Sequence, residues 1–240
     1  MMREGKKVER SVKSLVIIPA YNEEKSICRV VEDIQKNAPE FDFVIVNDCS
    51  LDDTLKVCRE KGYTVLNLPV NLGIGGAVQT GYRYALQNGY EVAVQFDGDG
   101  QHDAGYLGEM RDRLLHEKLD MVIGSRFLEK EGFQSSGIRR VGIRFFTGMI
   151  QMLTKAVITD PTSGMRMAGI RVIEEFAQNY PKDYPEPESV VRILRQGRKV
   201  QEYPVRMRER TEGTSSISPG KSIYYMIKVT LAIGMEMLRH

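Results

Sequence analysis

Residues 92–107 read VAVQFDGDGQHDAGYL, an apolar run that ends in two aspartates separated by one glycine. Such a run is typical of a buried strand, and the following segment 103–118 has the apolar spacing of a helix. The same alternation occurs earlier, where SLVIIPA (14–20), FDFVIVND (41–48) and YTVLNL (63–68) predict strands, each followed by a predicted helix. Strands that alternate with helices predict an α/β domain with a Rossmann-like, mainly parallel sheet flanked by helices.

Polar residues follow these predicted strands at one edge of the sheet. In chain order, the ends of the first, second, fourth and fifth strands carry PAYNEE, NDCS, DGDGQH and GSRF. Ligands of open α/β sheets bind at the carboxyl ends of the strands. This edge is therefore the predicted binding site.

The second half of the chain is less regular. It contains a predicted amphipathic helix with arginines on one side (137–157), a turn-rich loop DPTSGMR (160–166), a helix (184–197) and a strand (198–205). We divide the chain into a polar N-terminal arm (1–12), one α/β domain (13–218) and a C-terminal amphipathic helix (219–240).

Composition narrows the class of protein. The net charge of +2 over 240 residues argues against a nucleic-acid partner. The three cysteines are odd in number and contain no CxxC, which favours reduced thiols in a cytoplasmic chain. The first ten residues lack the apolar core of a signal peptide, and no apolar run approaches the roughly 20 residues that a spanning helix needs.

The two aspartates at the end of the fourth predicted strand are candidate metal ligands. Asp97 and Asp99 can turn toward one cation, because only Gly98 separates them. Hard cations such as Mg²⁺ prefer oxygen ligands and often share them with phosphate. A capping turn before the next helix, with Asp103 as the cap, is the alternative that the residues alone leave open.

Three other kinds of site fit this stretch poorly. An EF-hand loop counted from Asp97 needs glycine at position 6 and glutamate at position 12, where the chain has His102 and Gly108. A haloacid-dehalogenase phosphatase carries DxDx[TV] after its first strand, whereas here the fifth residue is Gln101 and the strand is the fourth. A dinucleotide site needs GxGxxG after the first strand, which here ends in PAYNEE.

Other residues at the same edge favour a nucleotide ligand. Glu23 and Asp48 follow the first two strands and can bind a base and ribose while a cation at the aspartate pair grips a diphosphate. Gly75 opens the third predicted helix and lets the backbone approach a ligand closely. Arg126 follows the fifth strand and can neutralise phosphate.

Taken in order, the motifs VIIPAYNEE, VNDCSLDDT, NLGIGGAVQTGY, VQFDGDGQHD, GSRF and DPTSGMR resemble the landmarks of glycosyltransferase family 2, which has the GT-A fold. The resemblance covers roughly residues 12–216 and is strongest to the dolichol-phosphate mannosyltransferase-like branch and to bacterial polysaccharide glycosyltransferases. It implies an inverting, metal-dependent enzyme that moves a sugar from a nucleotide-diphosphate donor to a lipid-linked or cell-surface polysaccharide acceptor.

The resemblance also implies roles for individual residues. Asp99 would bind the Mg²⁺ or Mn²⁺ that bridges the diphosphate, with Gln101 as a further residue of the metal shell. Arg126 matches a basic residue near the transferred phosphate, and Arg210 matches the arginine of a loop that closes over the donor. The positions that match the donor-binding landmarks are Pro19, Tyr21, Glu23, Asp48, Asp97, Gly98 and Arg210.

The chain departs from the family pattern at two positions. The family usually has two aspartates after the second strand, whereas this chain has Asn47 and Asp48, which puts recognition of the donor base in question. The mannosyltransferase-like loop reads RxxGxSK, and this chain has Ser216 in place of the lysine. The loss of a phosphate-binding lysine weakens the assignment as a polyprenyl-phosphate mannosyltransferase.

Two glutamates are candidates for the catalytic base. A hydroxyl acceptor needs a base to take its proton, whereas a phosphate acceptor is already anionic. Glu186 and Glu188 lie 11 and 9 residues before Gly197, where relatives of two branches place an acid. We expect Glu186 to be the base for a sugar acceptor. The alternative is ordinary helix-start chemistry around Pro187. A role for His102 at the metal or the acceptor phosphate is also left open against a structural one.

A lipid-linked acceptor would explain two amphipathic segments. Both 138–153 and the C-terminal helix combine basic residues with apolar ones and can lie in the headgroup layer of a membrane. The protein would then be peripheral on the inner face of the cell membrane. Packing on the domain or on a second subunit of a homo-oligomer is the alternative. Three functions remain as rivals: polyprenyl-phosphate glycosyl transfer, nucleotidyl transfer and non-catalytic binding of a nucleotide sugar.

Overall fold

The computed structural model describes residues 12–129, 137–182, 185–208, 226 and 228–234. The described strands are β1 (Ser14–Ala20), β2 (Asp42–Asn47), β3 (Val65–Asn67), β4 (Val92–Gln95), β5 (Met121–Ser125), β6 (Arg166–Gly169) and β7 (Val200–Pro204). The helices are α1 (Ile27–Asn37), α2 (Thr54–Glu60), α3 (Gly73–Gln87), α4 (Leu107–His116), α5 (Gly137–Thr154), α6 (Ile170–Gln178) and α7 (Pro185–Arg195). Residues 228–234 are also helical.

The strands form one sheet with the order β3-β2-β1-β4-β6-β5-β7. Strand β1 is parallel to both β2 and β4, and β5 is parallel to β7. All seven residues of β1 are buried. A strand at the centre of a parallel sheet is covered on both faces, which is why its sequence is a continuous apolar run rather than an alternating one. The predicted α/β fold with a mainly parallel sheet is confirmed.

Two apolar cores lie on opposite faces of the sheet. Because side chains alternate along a strand, Leu15 and Ile17 point to one face and Val16 and Ile18 to the other. Helices α3 and α6 cover the first face, and helices α1 and α4 cover the second. The three-layer arrangement leaves the carboxyl ends of β1, β2 and β4 open at one edge.

Strand β6 is antiparallel and lies between β4 and β5, with Arg166 opposite both Gln95 and Ile123. The sequence predicted a loop over 160–166 and no strand after it. The loop is present, but it ends at Met165, and β6 begins at Arg166. Since β6 runs against its neighbours, it starts at the edge where β4 and β5 end. The loop that precedes it therefore reaches the predicted binding edge.

Hydrogen bonds join the segment after β1 to the segment after β2 at this edge. The backbone N–H of Glu23 donates to Thr54 Oγ1 at 2.8 Å, and the backbone N–H of Leu51 donates to Asn22 Oδ1 at 2.8 Å. Asn22 adopts φ 59°, a left-handed conformation that asparagine tolerates better than most residues. These bonds hold the residues after β1 and β2 as one rim.

No helix within the described ranges is long and apolar enough to cross a membrane. Most of the N-terminal arm, Arg210, Ser216 and most of the C-terminal segment lie outside the described residues. The helical residues 228–234 fall inside the predicted C-terminal helix.

Candidate active site

A cleft of about 180 Å³ opens at the carboxyl ends of β1, β2 and β4. Eight residues predicted from the sequence line it together: Pro19, Tyr21, Glu23, Asp48, Asp97, Gly98, Asp99 and Glu186. Five of these carry carboxylates, so the cleft is rich in negative charge. It brings the paired aspartates and one of the two candidate bases to the same space.

Other predicted residues lie beside the cleft rather than in its lining. Gly75 is in the first turn of α3, where a Cβ would collide with the backbone carbonyls of Pro181 and Lys182. The close approach to that segment explains why a glycine is needed here. Gln101 follows the aspartate pair, and its backbone C=O accepts from the N–H of Arg208 at 2.9 Å. Gln101 is thereby bound to the segment after β7.

Asp97 is held by side-chain donors on both carboxylate oxygens. Gln95 Nε2 donates to Oδ1 at 3.1 Å, and His102 Nε2 lies 3.2 Å from Oδ2. Burial raises the pKa of Asp97, but the hydrogen bond and attraction of His102, the hydrogen bond of Gln95 and the charge of Arg166 outweigh it. The pKa of Asp97 is therefore lowered, and the carboxylate is ionised at neutral pH.

Asp99 is partly exposed, and its Oδ1 accepts from the backbone N–H of Gln101 at 3.0 Å. Gly100 between them adopts φ 76°, a left-handed conformation that glycine reaches without steric cost. The same turn continues to Asp103, whose side chain accepts from the N–H of Gly105 at 3.0 Å. Asp103 is thus the cap of the next helical segment, which confirms the capping turn that the sequence offered as the alternative.

The two candidate bases occupy different environments. Both lie in the first turn of α7, where the helix dipole favours negative charge. Glu186 lines the cleft, whereas Glu188 does not and forms an ion pair with Arg192 at 3.6 Å. The backbone C=O of Glu186 accepts from Ser189 Oγ at 3.1 Å. Glu186 is therefore the acid that faces the aspartates.

Arg126 forms a buried ion pair. Its Nε and Nη2 donate to the two oxygens of Asp160 at 2.6 and 2.7 Å, and Nη2 also donates to Thr162 Oγ1 at 3.1 Å. Burial lowers the pKa of Arg126, but the hydrogen bonds and charge of Asp160 and the charge of Asp97 raise it overall. The predicted contact of Arg126 with a phosphate stays a prediction, and any such contact would be made by an arginine already paired with a carboxylate.

Two residues beneath the cleft, Gly164 and Arg166, were not singled out in the sequence. A Cβ at Gly164 would collide with the carboxylate of Asp97, so this glycine allows the loop before β6 to pack on the aspartate. Arg166 is fully buried and donates to the carbonyls of Pro161 and Ser163 and to Ser189 Oγ, at 3.0, 2.8 and 2.6 Å. The glycine and arginine of DPTSGMR were visible signals, but their partners are distant in sequence.

A divalent cation fits this cleft on the chemistry of its donors. No group of three or more His, Cys, Asp and Glu side chains that could hold a metal by itself occurs in the described part of the chain. Mg²⁺ commonly takes one or two carboxylates and completes its shell with water and substrate phosphate. Asp99 and Asp97 supply such a partial set. A diphosphate would also be repelled by the five carboxylates unless a cation accompanied it.

The fold is shared with known glycosyltransferases. Glucosyl-3-phosphoglycerate synthase from Mycobacterium tuberculosis, crystallised with Mn²⁺, UDP and glucosyl-3-phosphoglycerate, superposes with a TM-score of 0.72 and 16% identity. The match covers 94% of this chain and 79% of that one. At this identity the likeness shows the fold alone, which is GT-A.

Curated relatives extend over most of the chain. The undecaprenyl-phosphate mannosyltransferase of Micrococcus luteus is 28% identical, with 94% of this chain and 97% of the relative covered. The polyprenol monophosphomannose synthase of Mycolicibacterium smegmatis is 27% identical, with 92% of this chain and 87% of the relative covered. The family model described as Glycosyl transferase family 2 matches residues 15–176. The chain therefore belongs to glycosyl transferase family 2 and is a glycosyltransferase.

Proposed function

We propose that this protein is an inverting, metal-dependent glycosyltransferase that transfers a sugar from a nucleotide-diphosphate donor to a lipid-linked acceptor. The observation that carries the proposal is the cleft in which Asp97, Asp99 and Glu186 meet. Metal-binding carboxylates and an acid that can act as a base are the two groups that such a transfer needs. The names of the relatives support the lipid-linked acceptor, since both contain a polyprenyl phosphate.

Each side of the cleft has a proposed task. Asp99, with Asp97 beside it, would hold Mg²⁺ or Mn²⁺, which when bound stabilises the negative charge of the leaving diphosphate. Tyr21 and Glu23 belong to the rim after β1, where we place the nucleoside of the donor. An acceptor oxygen then forms a bond to the anomeric carbon while the bond from that carbon to the diphosphate breaks. Glu186 would take the proton of a hydroxyl acceptor.

The first experiment measures donor binding by calorimetry with UDP, GDP and dTDP, each with and without Mn²⁺. We expect one nucleotide to bind tightly, and only with the metal, because the carboxylates repel a bare diphosphate. Equal affinity with and without Mn²⁺, or no binding in either condition, would contradict the proposed cleft. The nucleotide that binds also reports whether Asn47 beside Asp48 changes the base that is recognised.

The second experiment separates the two classes of lipid-linked acceptor. Glu186→Gln removes the base while keeping the size of the side chain. With a lipid-linked glycan, whose nucleophile is a hydroxyl, we expect kcat to fall by about 10²-fold or more. With a polyprenyl phosphate as acceptor, kcat should stay within a few-fold of the wild-type value. Glu188→Gln is the matched control, since Glu188 lies outside the cleft lining.

Two rival functions predict different outcomes. Family membership gives no support to a nucleotidyltransferase, which would instead release pyrophosphate from a nucleoside triphosphate. A non-catalytic binder would bind the donor sugar nucleotide saturably, with neither acceptor class being glycosylated. We expect turnover, because Glu186 faces the aspartates.

A further inference from the structure

We infer that His102 is a positioning residue that holds Asp97 in the donor cleft without itself touching the ligand. The inference rests on the proposed function of that cleft. His102 Nε2 lies 3.2 Å from Asp97 Oδ2. The ring is only 2% exposed, is absent from the cleft lining, and packs against Phe96 with 5.2 Å between ring centroids. His102 can therefore affect donor binding through Asp97 but not by direct contact.

Both carboxylate oxygens of Asp97 have a side-chain partner, and His102 is the partner of Oδ2. Oδ1 accepts from Gln95 Nε2, and the Oε1 of that amide accepts from Tyr180 Oη at 3.2 Å. Gln95 and Tyr180 are both buried, which fixes the direction of the amide. Gly164 packs against the carboxylate itself. Asp97 is thus held by two donors and one surface, and its orientation is set before any ligand arrives.

The second ring nitrogen of His102 indicates that the side chain is needed for its bond to Asp97 rather than for packing. An ionised carboxylate can only accept, so Nε2 carries the proton of this bond. Nδ1 is buried and has no hydrogen-bond partner among the described residues. A buried polar atom without a partner opposes folding. A side chain chosen for packing alone would be apolar here, and the bond to Asp97 offsets the cost of the unpartnered nitrogen.

Loss of this bond should act on ligand affinity. Residues that orient a metal-site carboxylate typically contribute 10- to 100-fold to metal affinity or activity. A freed Asp97 could rotate away from the geometry that a metal-bound diphosphate needs. We therefore expect His102→Leu to weaken Mn²⁺-dependent nucleotide binding by about 10- to 100-fold. Because the variant removes the unpartnered Nδ1 together with the bond to Asp97 that offsets its cost, the midpoint of urea unfolding should change little.

The conservative variant is His102→Gln. The terminal amide nitrogen of glutamine can reach the position of the histidine Nε2, so His102→Gln should keep the affinity within about threefold. His102→Asn is too short to reach Asp97 and should behave like the leucine variant. His116→Gln is the control, since His116 is exposed at the end of α4. A ring with a purely structural role would give a different order, in which the three His102 variants lose stability and keep affinity.

The experiment is calorimetry of UDP, GDP and dTDP with Mn²⁺ on wild type and the four variants, with urea unfolding in parallel. The inference is upheld if His102→Gln keeps the nucleotide affinity of the wild type while His102→Leu and His102→Asn lose it. It is overturned if all His102 variants bind nucleotide as tightly as wild type, or if His102→Gln loses as much affinity as His102→Leu at equal stability. If His102→Leu does not fold, the difference in affinity between His102→Gln and His102→Asn decides. A wild type that binds no nucleotide would refute the proposed function itself, and this inference with it.

Discussion

The two aspartates of the cleft differ in how they are surrounded, although one glycine separates them. Asp97 accepts from buried side chains on both oxygens, whereas Asp99 is held through the backbone N–H of Gln101. Both carboxylates line the cleft and are partly exposed. We expect Asp99 to be the principal metal ligand, because its position matches the metal-binding aspartate of the family motif.

Asp99→Ala should abolish metal-dependent nucleotide binding and leave the fold intact. The side chain is partly exposed, and surface substitutions away from buried networks usually change the unfolding free energy by about 0.5 kcal/mol or less. Calorimetry with and without Mn²⁺, together with urea unfolding, tests both parts. Asp112→Ala, an exposed aspartate on α4, is the control. Unchanged diphosphate affinity in the Asp99 variant would sink the metal assignment.

Gly164→Ala should weaken donor binding through Asp97. An added Cβ would strike the carboxylate, and the loop or the aspartate must move to admit it. We expect nucleotide affinity to fall by roughly 10-fold, within the range for residues that orient a metal ligand. Gly148→Ala is the matched control, because a Cβ there meets nothing within 4 Å. The control should stabilise α5 by up to about 1 kcal/mol. Equal affinity in both glycine variants would show that Asp97 tolerates the displacement.

At the scale of elements, the sequence was sufficient where local pattern decides structure. The apolar run of β1 and the apolar spacing of the helix after it are local signals. Strand β1 has the predicted bounds, and the helix is present as α1, with Ser26 as its N-cap. Strand β6 was not predicted, because it is four residues long and begins with an arginine. Its partners β4 and β5 are distant in sequence. Arg166 can therefore be assigned to a strand only from the pairing of β6 with β4 and β5 in the folded sheet.

The same limit applies to the candidate site. Residues at the ends of parallel strands meet by topology, which is why Glu23, Asp48 and Asp97 could be predicted to share an edge. The contact of Gly164 with Asp97 depends on the antiparallel return of the chain, so no spacing in the sequence reveals it. The partner of Arg126 was missed for a similar reason, since Asp160 lies 34 positions further on.

Asp160→Asn should destabilise the junction between β5 and the loop before β6. Asp160 is fully buried and pairs with Arg126, so the variant leaves a buried guanidinium without its counter-charge. Breaking such a pair from one side costs about 3–5 kcal/mol. Urea unfolding measures the loss. Asp53→Asn, from an exposed pair with Lys56, should change stability by less than about 1 kcal/mol. A loss below about 1 kcal/mol at Asp160 would show that the ion pair is not structural.

At the scale of the whole molecule, α5 presents an apolar stripe to solvent. Val141 and Met152 are 65% and 67% exposed, and Phe145 lies between them on the same side of the helix. Phe145 also lines an apolar groove with Met226 and Leu231. The exposed Arg140 and Arg144 flank the stripe. Apolar residues bordered by cations suit the headgroup layer of an anionic membrane.

We therefore expect the protein to float with anionic vesicles in a detergent-free gradient. The double variant Val141→Asp with Phe145→Asp should abolish flotation, because it places two carboxylates where the stripe would enter the headgroup layer. Leu51→Asp, at a position 83% exposed on another part of the surface, is the control and should still float. The membrane contact is refuted if wild type does not bind vesicles and removal of residues 219–240 instead splits a dimer.

The antiparallel strand also determines when the sheet can close. Both neighbours of β5 in the sheet, β6 and β7, are later in the chain, so β5 has no partner when it is made. By contrast β1 to β4 can pair among themselves as they emerge, and contacts over shorter separations form faster. During refolding we expect amide protons of β1, β2 and β4 to gain protection before those of β5 and β7 in pulsed hydrogen exchange. Simultaneous protection of all strands would contradict this order. The half of the cleft that carries Glu186 would thus be the last part of the molecule to become competent.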